Sequence, residues 1–218
     1  LQAAPVLVDD SPAFEGRFKP VSGRPLTFVA PGLVEGKDGK EATTFVPFFR
    51  VHESRYMVYW PYSTAADLAA TRAKAAEDEK ARLELDARTI DQVAPGEQQP
   101  ESDHFFKAEG GESGLAKGRR WRHAKSWFSY DLTDKKSEAR TLLLTYSKAD
   151  AGRRFDILIN GQLLAEVKLD ATAPQELYTV DYPVPPALVA AAGGKLVVKF
   201  VARNGSAAGG LYGLRLLR

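Results

Sequence analysis

At 218 residues, with 44% apolar and 27% charged side chains, the chain can bury a core as one large domain or two small ones. Its 30 lysines and arginines against 28 acids leave a net charge of +2, which excludes the strong basic field of a nucleic-acid binder. Cysteine is absent, which rules out disulfides, thiolate metal sites and a cysteine nucleophile. The apolar runs are too short to cross a bilayer, so neither nucleic acid nor a membrane is an expected partner.

The opening LQAAPVLVDD has no basic segment followed by an apolar stretch, so no export signal is visible. It has no initiator methionine, and Met57 is the single methionine, so the expectation is a fragment or a processed form. Residues 1–64 read as a first β-module, with strands expected at LTFVA (26–30), TTFVPFFRV (43–51) and RYMVYW (55–60). In the second of these Phe45, Phe49 and Val51 alternate with Val46 and Phe48, which predicts burial on both faces. His52, Glu53 and Ser54 would turn it back into RYMVYW as a hairpin. EGKDGKE at 35–41 reads as a solvated loop.

Residues 65–88 are alanine-rich and free of glycine and proline, with Ser63 or Thr64 placed to cap the first turn. Lys74/Asp78, Asp78/Arg82, Lys80/Glu84 and Glu84/Arg88 stand at i,i+4, and the apolar stripe is thin. This predicts an exposed connecting helix whose charges form a solvated face.

From residue 89 to 218 the pattern is β again. Strands are expected at TIDQV, WFSYDL, RTLLLTYS, RRFDILI, LLAEVKL, ELYTVDY, KLVVKFVA and LYGLRLL. Asn160-Gly161 is the strongest turn signal, because both residues accept the positive φ of a type I′ hairpin. Phe155, Ile157 and Ile159 define one core face, and Leu163, Ala165, Val167 and Leu169 the matching face across the turn. PPALVAAAGG (185–194) reads as a short helix opened by proline and stopped by Gly193-Gly194. The fold class is therefore mainly β: two β-modules joined by one charged helix, the second a jelly-roll-like β-sandwich.

Two stretches carry polar chemistry. GEQQPESDH (96–104) gathers Glu97, Glu101, Asp103 and His104, with Gly96 and Pro100 opposing helix and central strand. Its carboxylates can accept hydrogen bonds from backbone N–H groups or from nearby arginines in an ordered loop. Glu101 and Asp103 can alternatively hold a structural calcium, although the spacing is not that of an EF-hand. A glycosidase pair would need carboxyls from separate elements flanking a bond. Sugar contact through His104 is the fourth reading.

KGRRWRHAKSWFSY (117–130) interleaves cations with aromatics. Trp121, Trp127 and Tyr130 can stack on sugar rings while His123 donates to hydroxyls; the alternative is that Trp127 and Phe128 divide between surface and core as the strand alternates. Base stacking is the third reading, and the near-neutral charge opposes it. The histidines form no HExxH or close pair, and GxSxG, GxGxxG and P-loop patterns are absent, so no cofactor is expected.

TTFVPFFRVHESRYMVYW, GEQQPESDH, GRRWRHAKSWFSYDL, FDILINGQLLAEVKL, DYPVP, KLVVKFVA and GGLYGLRLL together resemble the C-terminal region of glycoside hydrolase family 127, the β-L-arabinofuranosidase-like enzymes. The resemblance implies a parent with a helical-barrel catalytic domain, with 1–64 as the tail of the sandwich that follows it. It likewise makes 65–88 a connecting helix and 89–218 an accessory sandwich. It implies a plant-type oligo- or polysaccharide as ligand, the parent's catalytic domain as partner, and a secreted or periplasmic parent. The family's cysteine nucleophile has no counterpart in this cysteine-free sequence, so no catalytic residue carries over. A protein-interaction module docking on the parent's barrel is the alternative, motivated by the two-faced apolar run at 43–51.

Overall fold

A computed structural model gives the fold and describes residues 6–30, 32–35, 42–53, 56, 58–170, 172–173 and 175–218. The chain divides into two compact units, residues 1–83 and 84–218. Among the described residues no helix is long and apolar enough to cross a membrane.

Among the described residues the first unit holds two small sheets. β1 (Val6–Val8) lies between β4 (Val34–Glu35) and β6 (Tyr62–Ser63), and β3 (Phe28–Ala30) between β2 (Lys19–Pro20) and β5 (Thr43–Phe45). Leu7, Ala30 and Leu33 form its small core, with Phe18, Val34, Phe45 and Trp60 packed around them.

The long strand expected at 43–51 is corrected. It stops at Phe45, and Phe48–Arg50 forms a 3-10 turn after Pro47. Proline supplies no N–H to a sheet ladder, so pairing ends there. β5 pairs with β3. The predicted two-sided burial fails with it, because Val46, Phe48 and Phe49 are all exposed. Residues 36–41 of the expected loop, and Ser54, Arg55 and Met57 of the expected hairpin, lie outside the described residues.

The charged helix α1 (Ala65–Arg88) forms as expected and buries no residue. Thr64 caps it, its hydroxyl accepting from the Asp67 N–H at 3.1 Å. Lys74 pairs with Asp78 at 3.4 Å, while Arg82 takes Glu79 at i,i+3 rather than the expected Asp78.

The second unit is a jelly-roll-like β-sandwich. One sheet has the order β13 (Leu177–Pro183), β10 (Thr141–Ser147), β16 (Gly213–Leu217), β7 (Thr89–Val93). The other runs β12 (Gln162–Lys168), β11 (Arg154–Ile159), β14 (Lys195–Ala202), β9 (Arg119–Thr133), β15 (Ala208–Leu211), with β8 (Lys107–Ala116) also on β9. Alternating residues from both sheets meet in one core, among them Phe128, Leu144, Tyr146, Ile157, Phe200 and Leu216. That interdigitation of two inner faces is what makes the unit a sandwich.

Asn160 and Gly161 adopt φ of 48° and 82°, the positive values expected of the β11–β12 turn. One inference about this hairpin is corrected. A bulge between Ile157 and Leu158 shifts the register, so Leu163 is exposed and Leu164 packs toward the core instead. Helix α3 (Pro186–Ala191) forms where PPALVAAAGG predicts it and buries Leu188 and Val189.

Candidate functional site

The segment GEQQPESDH is a tight turn followed by a short helix, α2 (Gln98–Asp103), and not a loop throughout. Pro100 is its third residue, where an N–H would have no intrahelical acceptor, so the ring costs little there. Glu101 is turned inward and 6% exposed. Its carboxylate accepts from Arg122 Nε at 2.9 Å, Arg122 Nη2 at 2.5 Å, the Tyr130 hydroxyl at 2.8 Å and the Gly96 N–H at 2.8 Å. Burial pushes this carboxyl up, but the Arg122, Gly96 and Tyr130 hydrogen bonds and the Arg122 charge together hold it below its usual value. The guanidinium also lies 4.4 Å from the Phe106 ring centroid.

This network bears on three expectations. Glu101 accepts arginine and backbone hydrogen bonds, as expected of the segment. Glu101 and Asp103, expected as alternative calcium ligands, have protein partners instead: Glu101 is committed to the Arg122 guanidinium, and exposed Asp103 accepts from Gln99 at 2.7 Å. Among the described residues no group of three or more acidic or histidine side chains is placed to hold a metal. Tyr130 as a sugar platform is corrected too, because its ring is fully buried and its hydroxyl is committed to Glu101.

Beside α2 lies an open groove of about 600 Å³ within the second unit. His104 closes the helix and forms part of its wall. Its Nδ1–H donates to the Pro100 carbonyl at 2.7 Å, and its Nε2 meets Asp91 Oδ1 at 3.0 Å. Burial lowers its affinity for a proton, but Asp91 and the Pro100 carbonyl outweigh that and leave the imidazole above its usual value. Asp91 Oδ2 accepts from the Thr133 N–H at 2.7 Å, which ties β7 to β9 across the groove floor.

Phe105 follows with φ of 49° and 66% of its surface exposed. A left-handed backbone at a bulky residue costs about 1–3 kcal/mol and persists where the surroundings over-determine it. Here the neighbouring groups supply that constraint: the Phe105 N–H donates to Ser102, Phe106 N–H to Glu101, and Asp131 N–H to the His104 carbonyl. The Lys195 ammonium stands 5.6 Å from the Phe105 ring centroid and 2.7 Å from Asp131. The result is an exposed aromatic ring edged by the carboxylates of Asp91 and Asp131, an imidazole and an ammonium.

The remaining expected residues stand elsewhere. Trp121 and His123 come together on β9, with ring centroids 4.9 Å apart. Trp121 lies against β8, where a Cβ on Gly114 would be 2.5 Å from its ring. His123 accepts from Arg153 at 3.3 Å and meets Glu112 at 3.4 Å; burial and the Arg153 charge hold it below its usual value. Trp127 donates to Glu109 at 2.9 Å, and the Lys199 ammonium covers its ring at 3.9 Å. Phe128, its neighbour, is in the core, so the strand alternates as expected. Of the residues expected to contact sugar, only His104 lines the groove. Phe105, Asp91, Asp131 and Lys195 were missed. The adjacent pair Phe105-Phe106 was the available signal, two aromatics just after the polar segment, of which the structure exposes Phe105 and packs Phe106 against the core.

Fold and site thus define a β-sandwich module with a polar groove whose lining includes an exposed aromatic ring. Residues 84–217 match the model described as Family of unknown function (DUF6805), and the chain belongs to that family. Residues 1–62 match a second model, Domain of unknown function (DUF4986). No curated protein matches the chain. Among solved structures it is similar to a family 35 carbohydrate binding module from Clostridium thermocellum, at 13% identity over 51% of this chain and 90% of that one, with a TM-score of 0.37. A family 35 module from an environmental isolate gives 15% identity, 54% and 90% coverage, and a TM-score of 0.39. The GH26-CBM35 beta-(1,4)-mannanase of Podospora anserina gives 14% identity, 53% and 26% coverage, and a TM-score of 0.37.

Proposed function

We propose that the chain is a non-catalytic, carbohydrate-binding region of a glycoside hydrolase, and that the groove beside α2 receives the sugar. The observation that carries this reading is Phe105, an exposed ring held in a costly backbone conformation that lines the groove together with Asp91, His104, Asp131 and Lys195. A pyranose or furanose stacks its C–H face on such a ring, and its hydroxyls donate to carboxylates and accept from an ammonium or imidazole. Asp91 and Asp131 are each already accepting from a cation or an N–H, which suits them to hold hydroxyls rather than to donate a proton to a leaving group. A parent glycoside hydrolase is supported by the match at 1–62, to a domain often found in such enzymes. The resemblance to the β-L-arabinofuranosidase-like family narrows the ligand to plant-type oligo- or polysaccharides.

Glycan-array binding of the chain tests this reading. The expected result is retention of a related set of plant oligosaccharides with no turnover of them; uniform absence of binding, or hydrolysis above a heat-killed control, overturns it.

A second reading is favoured by the first unit, where Val46, Phe48, Phe49 and Tyr59 are 49%, 57%, 56% and 90% exposed. Apolar surface of this kind marks protein contacts, and docking on the parent's catalytic barrel would cover it. A purified chain that scatters light as a strict monomer at all concentrations, and does not bind the catalytic domain added separately, removes that reading.

A further inference from the structure

Both ring nitrogens of His104 face oxygen acceptors. Nδ1 is 2.7 Å from the Pro100 carbonyl of α2, and Nε2 is 3.0 Å from Asp91 Oδ1 of β7. The two oxygens of that carboxylate also accept backbone N–H groups, Oδ1 from Gln92 at 2.8 Å and Oδ2 from Thr133 at 2.7 Å. Only the doubly protonated imidazolium donates to the carbonyl and the carboxylate at once. A neutral ring keeps one proton and turns a lone pair on the other oxygen. The His104 and Asp91 side chains are 16% and 20% exposed, so water is poorly placed to make good the lost bond.

The position of this contact ties it to the groove. His104 closes α2, its carbonyl accepts from the Asp131 N–H at 2.8 Å, and Phe105 with its left-handed backbone follows directly. The imidazole thus joins the end of α2 to β7, and Asp91 carries the tie on to β9 through Thr133. Burial opposes a charge on the ring, but the Asp91 contact, the Pro100 carbonyl and the charges of Asp91 and Asp103 outweigh it. The other charges around the groove are largely matched. Asp131 of β9 pairs with Lys195 of β14 at 2.7 Å, and Glu138 with Arg218 at 3.8 Å. Asp134 accepts from the Glu138 and Ala139 N–H groups, and Lys135 and Lys136 complete the charged lining.

We propose that His104 is a positioning residue that makes the groove proton-dependent: its imidazolium locks the end of α2 to β7 and holds Phe105 in place for a saccharide, and loss of the proton loosens this corner. The inference rests on the reading of the groove as the sugar site. Its sign is fixed by the geometry: the competent state is the protonated one, so binding weakens as pH rises through the folded value of His104.

NMR of the whole chain without any sugar tests the switch by itself. The His104 ring should keep both protons to higher pH than the His123 ring. Backbone order parameters of Phe105 and Phe106 should fall from pH 5.5 to 8.5 as His104 loses its proton, in wild type and in H123Q but not in H104Q. D91N should lower the pH at which the His104 ring titrates. The glycan array repeated at the two pH values then reads the consequence. Retention should be at least about threefold weaker at the higher pH in wild type, because affinity falls with the fraction of chains in the competent state, and independent of pH in H104Q. No retention at either pH, with Phe105 still following the ring, overturns the sugar reading while supporting the switch. A His104 ring that gives up its proton no later than His123, a Phe105 that does not follow it, or glycans held equally at both pH values overturn the proposal.

Discussion

Glu101 gives the second unit a buried charge that is satisfied four times over, by Arg122 twice, Tyr130 and Gly96. Removing one partner of such a pair strands the other, so E101Q should cost about 3–5 kcal/mol, read from the urea midpoint. A loss below about 1 kcal/mol would mean that the network is not holding α2 against β9. Because its folded value is depressed, Glu101 contributes stability that is present above its unfolded value and is lost as pH falls through the folded one. His104 has the opposite sign. Its folded value is raised by Asp91 and the Pro100 carbonyl against the effect of burial, so its contribution is full below the unfolded value of about 6.5 and disappears as pH rises through the folded value. The stability difference between the wild-type chain and H104Q should therefore shrink from pH 5.5 to 8.5; a constant difference would show that the imidazole is not charged beside Asp91.

Among the elements, the β11–β12 hairpin rests on a turn whose residues both have positive φ. A Cβ on Gly161 would meet nothing within 4 Å, so G161A isolates the backbone cost, expected at about 1–2 kcal/mol by thermal or urea unfolding. No measurable change would indicate a different turn. The turn of that hairpin and the core face of β11 were legible, because Asn-Gly between alternating apolar residues specifies the turn, and Phe155, Ile157 and Ile159 are buried as expected. Leu163 and Leu164 were not, since a bulge leaves no mark in a run of similar residues. β8 was missed for a related reason: KAEGGESGLA has little apolar content to alternate, and it forms by pairing along β9 while staying largely exposed. α2 was hidden by Pro100, which breaks a helix interior but is tolerated in a first turn. The polar residues of 96–104 were identified correctly, yet Glu101 and His104 could not be sorted into core and groove without knowing that Arg122 and Asp91 arrive from β9 and β7.

At the scale of the whole molecule, the two units differ in what holds them. The second has a continuous two-sheet core; the first has a small core and several exposed aromatics. The groove belongs wholly to the second, so ligand binding should depend on that unit's integrity and on Phe105 in particular. The most direct measurement is calorimetric titration of the whole chain with an oligosaccharide retained on the array, in parallel with F105A and W121A. Stacking on an aromatic ring is worth about 1–3 kcal/mol by comparison with bases, so F105A should weaken binding by about tenfold or more while W121A leaves it intact. Equal affinity in a folded F105A, or a loss confined to W121A, would contradict the account.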